Sequence, residues 1–132
     1  MKREIKFRAQ RKDNKWQYSM TLSTGKEIGG ATKSYDYFMA EKGKGWVKVK
    51  AETIGQFTGL YDKNGNEIYE GDILAPISKE SFYYVGFESG MFCIYNNLGR
   101  WATMERGIEI YKELNIDFEI IGNIYQNSEL VK

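Results

Sequence analysis

The sequence predicts a mainly β protein, a small antiparallel barrel or sandwich built from many short strands. Three observations lead there. Ten Tyr, seven Phe and three Trp in 132 residues supply aromatic side chains that suit strands. Apolar and polar residues alternate in short runs more often than they recur at helical spacing. Fourteen Gly against one Pro break these runs with turns. A chain of this length has the size of one domain over residues 1–132 and buries roughly two-thirds of its unfolded surface without a metal or disulfide staple.

Taken in order, residues 4–9 alternate, with Ile5, Phe7 and Ala9 on one face. Residues 11–15 form a polar turn, and Trp16, Tyr18 and Met20 then share a face, which makes a hairpin. Residues 21–45 hold five glycines and little periodicity, and are expected to be a long irregular excursion; Lys33 to Met39 fits one helical turn or a short strand. Alternation returns in Trp46-Val47-Lys48-Val49-Lys50. Residues 82–87 and 91–95 read as two strands around a turn at Glu88-Ser89-Gly90, and residues 100–103 as a short strand after the turn at 96–99. One short helix is expected near residues 104–114, where Met104, Ile108 and Tyr111 recur at helical spacing despite Gly107. Residues 118–121 and 124–125 make the last strand, interrupted at Gly122-Asn123 by a bulge or kink.

The densest run of signals is Thr58 to Leu74. Asp62-Lys63-Asn64-Gly65 fits either a type I turn followed by a left-handed Gly65 or a two-residue type I′ turn at Asn64-Gly65. Glu70-Gly71-Asp72 turns the chain again, with Gly71 in a conformation that a side chain resists and Asp72 bonding nearby N–H groups. Pro76 ends the following strand.

The residue inventory excludes much chemistry. There is no histidine, which removes Ser-His and Cys-His nucleophiles and imidazole-based zinc sites. Cys93, the one cysteine, lies among apolar neighbours and is expected to be a buried, inert thiol. Asp62 to Glu67 resembles the start of a calcium loop, but Glu67 and Ile73 stand where glycine and glutamate are required. Gly25-Lys26 lacks the upstream glycine and the Ser/Thr of a phosphate loop, and Ser23-Thr24-Gly25-Lys26 lacks the companion motifs of Ser-x-x-Lys enzymes. The clustered acids Asp62, Glu67, Glu70 and Asp72 suit turn chemistry better than a catalytic pair or a metal site. No cofactor, metal or catalytic residue is therefore expected.

The net charge of +1 argues against the whole chain as an electrostatic binder of nucleic acid. One segment has the composition for it: Lys42, Lys44, Trp46, Lys48 and Lys50. In a strand Trp46, Lys48 and Lys50 share a face, and cations around an aromatic ring are what single strands bind to. An amphipathic edge strand protected by lysines is the structural alternative. Residues 1–15 hold seven basic and two acidic residues, and residues 105–132 three basic and six acidic, a distribution that suits mutual neutralisation of the two ends. No apolar run approaches membrane-spanning length, so a soluble cytoplasmic protein is expected.

The chain resembles the YopX family of phage and prophage proteins. Residues 3–8 are similar to the family's opening, residues 52–60 with 62–73 to its central signature, and Ile121-Gly122-Asn123-Ile124-Tyr125 with Asn127 and Glu129-Leu130 to its closing motif. Ala9 stands where the family has an aromatic residue, and Ser128 where it has proline. The resemblance implies an SH3-like barrel with extra N-terminal strands, encoded by a phage or prophage, and no established activity. The motif residues Thr58, Gly59, Asp62, Asn64, Gly65, Glu70, Gly71, Asp72, Gly122 and Asn123 then read as fold determinants, with Ile68, Ile73, Ile120 and Ile124 in the core. A non-enzymatic module binding a host or phage protein follows, with nucleic acid as the alternative partner and a homo-oligomer open.

Overall fold

A computed structural model describes residues 4–25, 36–41, 43, 45–76, 81–114 and 116–131. The chain folds as two compact units, Met1–Phe57 and Thr58–Lys132. Both are built from antiparallel strands, and the described residues hold one α-helix.

In the first unit β1 (Phe7–Gln10) pairs with β2 (Trp16–Ser19), and β3 (Leu22–Gly25), β4 (Asp36–Glu41) and β5 (Gly45–Val49) form a three-stranded sheet. Two of these strands lie in the stretch expected to be irregular. They were hard to see because Tyr37-Phe38-Met39-Ala40 is a continuous apolar run with no alternation, and register decides its faces. Leu22, Met39 and Val47 stand opposite one another on the core side, where Ala9, Met39 and Val49 form a small buried cluster. Residues 26–35 and Lys42 and Lys44 lie outside the described residues.

The hairpin β1–β2 forms as expected, but the inward face of β2 does not. Gln17 is buried opposite Ala9, whereas Tyr18 and Met20 are exposed. The Arg8 guanidinium lies 4.4 Å from the centre of the Trp16 ring, which gives this face a cation–π contact. At the end of β1 the Gln10 N–H donates to Thr53 Oγ1 at 2.8 Å, Thr53 Oγ1 donates to the Lys50 carbonyl at 2.7 Å, and the Lys50 N–H donates to the Gln10 carbonyl. These bonds fasten the β1–β2 turn to the end of β5.

β6 (Gly55–Tyr61) carries the chain from the first unit to the second. There β7 (Glu67–Tyr69) returns from the turn at 62–65, and β8 (Asp72–Pro76), β9 (Tyr83–Glu88), β10 (Met91–Asn96) and β11 (Gly99–Thr103) follow as an antiparallel meander. Helix α1 (Met104–Glu113) precedes the last strand, β12 (Phe118–Asn123), which pairs with β8. The sheet runs in the order β11-β10-β9-β8-β12 and does not close on itself. Ile124 and Tyr125, expected in the last strand, lie in the turn after it, and the register shift in β12 falls between Ile120 and Gly122.

The core of this unit gathers Ile68, Leu74, Tyr83, Val85, Ile94, Met104 and Phe118 under α1. Thr103 caps the helix by accepting the Arg106 N–H. Gly107 has a packing reason to stand inside the helix: a Cβ there would collide with Ile94 Cδ1 and stand 3.0 Å from Trp101 Cζ3. The glycine lets the helix lie close on β10 and β11. Cys93 is fully buried, as its neighbours predicted.

Candidate functional site

The Thr58–Leu74 stretch is held by its own side chains. Thr58 Oγ1 donates to the Ile68 carbonyl at 2.8 Å. The Gly65 N–H donates to the Asp62 carbonyl at 3.0 Å, the Asp62 N–H to the Asn66 carbonyl at 2.9 Å, and Gly65 has φ of +80°. This is the type I turn with a left-handed glycine, so the open choice between the two turns resolves to the first.

Asp62 is 8 % exposed and its carboxylate is saturated. Oδ1 accepts the Asn64 and Asn66 N–H groups at 2.9 Å each, and Oδ2 accepts the Asn66 amide at 3.4 Å and the Ile120 N–H at 3.1 Å. The Lys63 N–H donates to the Phe118 carbonyl at 3.0 Å. One turn thereby closes the outer edge of β12. Burial pushes the Asp62 pKa up, but the hydrogen bonds outweigh it and hold the carboxyl below its usual value.

The second turn works in the same way. Asp72, 2 % exposed, accepts the Tyr69 N–H at 2.8 Å. Gly71 has φ of +90°, and its N–H and carbonyl reach Val85 and Ile124 at 2.8 Å each. Glu70 is half-buried between them. The closing motif has a third such device. Asn123 Oδ1 accepts the Tyr125 and Gln126 N–H groups, while Asn127 Oδ1 accepts the Asn123 N–H at 3.2 Å. Ile68 and Ile73 are fully buried, and Ile120 and Ile124 half-buried.

Asp62 and Asp72 are thus each engaged by backbone N–H groups at their own turns. A hollow of about 170 Å³ in the second unit is lined by Tyr61, Asp62, Lys63, Lys112, Asp117 and Phe118 among others; Asp62 reaches it, and Glu67, Glu70 and Asp72 are not in its lining. It is smaller than the roughly 300–1,000 Å³ of small-molecule sites. Among the described residues no three His, Cys, Asp or Glu side chains come together as a metal site requires.

The basic segment is different. Trp46 is 54 % exposed and Lys48 exposed, both on one side of β5, and Lys50, just past the strand, is half-buried. Lys50 Nζ contacts Asn14 Oδ1 in the β1–β2 turn, where Lys12 and Lys15 are exposed. Sequence reasoning missed Phe38. The register sets it directly opposite Lys48, with Trp46 opposite Ala40, so Phe38 and Trp46 are diagonal neighbours on the outer face of β4 and β5. Glu41 at the end of β4 stands opposite Gly45 at the start of β5, which sets this register. Charge divides with the units. The first holds thirteen Lys and Arg against six Asp and Glu, and the second six against twelve. Formal charges of +7 and −6 lie behind the chain's +1.

An open antiparallel sheet with a strand-capping acid turn, joined to a small basic unit, is the class of protein these features define. The chain belongs to the YopX protein family, which matches residues 6–132. It is similar to protein EF1440 from Enterococcus faecalis, whose crystal structure aligns at 25 % identity over 98 % of this chain and 99 % of that one, with a TM-score of 0.54. No curated protein matches the chain. No helix among the described residues is long and apolar enough to cross a membrane.

Proposed function

We propose that this YopX-family chain is a non-enzymatic binding module whose first unit takes nucleic acid on the outer face of β3–β5. The observation that carries the proposal is the division of charge: a unit at +7 presents Trp46, Phe38 and Lys48 on one sheet face, with Lys50 next along the chain. A domain of that charge attracts polyanions, whatever the neutral total. The non-enzymatic part rests on Asp62 and Asp72, whose carboxylates are engaged by backbone N–H groups.

The second unit is the scaffold in this proposal. Its strand order runs fifth, first, second, third, fourth along the sheet, with α1 before the fifth strand. That order supports an SH3-like arrangement, although a fold of this kind does not itself name a partner. The family resemblance adds a phage or prophage origin and a bacterial cytoplasm as the setting.

A mobility-shift titration with DNA and RNA at low salt tests the proposal. The expected result is a shift that weakens steeply as salt rises, that is reduced by Lys48→Glu with Lys50→Glu, and that is unchanged by Lys112→Glu. No shift with single-stranded or duplex nucleic acid at low salt overturns it.

One observation favours protein binding as a second reading. β11 is an open edge carrying the part-exposed Trp101, and Phe87, Met91 and Leu98 are exposed on the same sheet unit. A strand from a host or phage protein, or from a second copy, would add at such an edge. Light scattering and affinity capture with and without Ala102→Pro distinguish this from nucleic-acid binding.

A further inference from the structure

We infer that the nucleic acid taken by the first unit is single-stranded, held by two aromatic rings, Phe38 and Trp46, that stack on adjacent bases while Lys48 and Lys50 meet the backbone. This rests on the nucleic-acid proposal above and adds the strandedness of the ligand.

The register carries the inference. Diagonal neighbours across an antiparallel pair stand about 7–8 Å apart. Phe38 and Trp46 hold that relation, since Phe38 faces Lys48 and Trp46 faces Ala40. Bases in a B-form strand are spaced by about 3.4 Å. Two adjacent bases can lie on these two rings only when they are unstacked from each other. A single strand allows that at small cost, and a duplex keeps its bases stacked inward. Two further positions of this face, Ala40 and Ser23, are small and leave room beside the rings. Lys48 sits directly opposite Phe38, and Lys50 leads to the turn bearing the exposed Lys12 and Lys15. Cations therefore flank the rings along one direction, as a strand's phosphates require.

Fluorescence anisotropy with labelled oligothymidylate, oligouridylate and a duplex of equal length tests this. Tighter binding of either single strand than of the duplex is expected. Phe38→Leu and Trp46→Leu each weaken single-strand binding about ten-fold or more while leaving duplex binding as it was. Leucine keeps an apolar side chain at the half-buried Phe38 position, and circular dichroism of each variant verifies the fold. Equal affinity for duplex and single strands, or leucine variants that bind single strands like the parent, overturns the inference and leaves salt-dependent binding by the basic unit standing. Failure of all three probes to bind overturns both.

Discussion

Asp62 and Ile120 are joined across 58 positions of sequence by a hydrogen bond of 3.1 Å from the Ile120 N–H to the carboxylate. The bond makes a hairpin turn the closure of a strand edge. Asp62→Asn keeps one carbonyl oxygen for Asn64 and Asn66 but sets an amide donor against the Ile120 N–H. Leaving that donor unpaired costs about 1–3 kcal/mol, and Asp62→Ala costs more, measured by urea denaturation.

The same residue sets a pH dependence. Its folded pKa is depressed, so its stabilisation is fully present above the ordinary carboxyl value of 3.8 and is lost as pH falls through the lower folded value. The stability gap between the parent chain and Asp62→Asn is therefore expected to narrow below about pH 4, near the reference carboxyl pKa. Denaturation midpoints at pH 7 and pH 3 check it.

Gly122 and Asn127 form a tighter pair. A Cβ on Gly122 would stand 2.7 Å from Asn127 Cγ and closer still to its oxygen, the atom that accepts the Asn123 N–H. Gly122→Ala is expected to cost about 1–3 kcal/mol by overpacking. Asn127→Ala costs the hydrogen bond, and the double variant loses less than the two singles combined. A double-mutant cycle by chemical denaturation reads the coupling directly.

Gly107→Ala separates helix propensity from packing. Propensity alone predicts a gain of about 1 kcal/mol. Contact with Ile94 and Trp101 predicts a loss instead, partly restored by Ile94→Val. Thermal melting of the three variants gives the sign.

Tyr95 is expected to be a late-titrating tyrosine. Its ring stacks on Tyr84 with centroids 5.2 Å apart and covers Gly86, and its hydroxyl donates to Glu88 at 2.8 Å. Burial, then the hydrogen bond to the Glu88 carboxylate, pushes its pKa up to about 12. Glu88→Gln lowers it toward 10, the ordinary value, as followed by NMR of labelled tyrosine rings.

The family motifs and most strands were legible because they rest on local chemistry. Asp62-Lys63-Asn64-Gly65 announces a turn, and Glu88-Ser89-Gly90 between the aromatic-rich runs 82–87 and 91–95 announces a hairpin. The proposed binding face was half legible. Trp46 and Lys48 show their shared side by spacing, but Phe38 sits inside Tyr37-Phe38-Met39-Ala40, where every residue is apolar and only pairing tells which side faces out. Tyr18 was misread for a related reason: Gln17 is buried opposite Ala9, so polarity did not mark the outer face of β2. The acids of Thr58–Asp72 read as turn residues, but a distant partner such as Ile120, 58 positions from Asp62, is too far along the chain to be foreseen.

The most direct measurement is an amide chemical-shift map of isotope-labelled protein titrated with a short oligopyrimidine. The account predicts shifts at Phe38, Ala40, Trp46 and Lys48, with Asp62, Asp72, Ile120 and Asn123 unmoved. Shifts concentrated on Asp62, Asp72 and the residues bonded to them would contradict it, because the stretch described here as scaffold would then be the site.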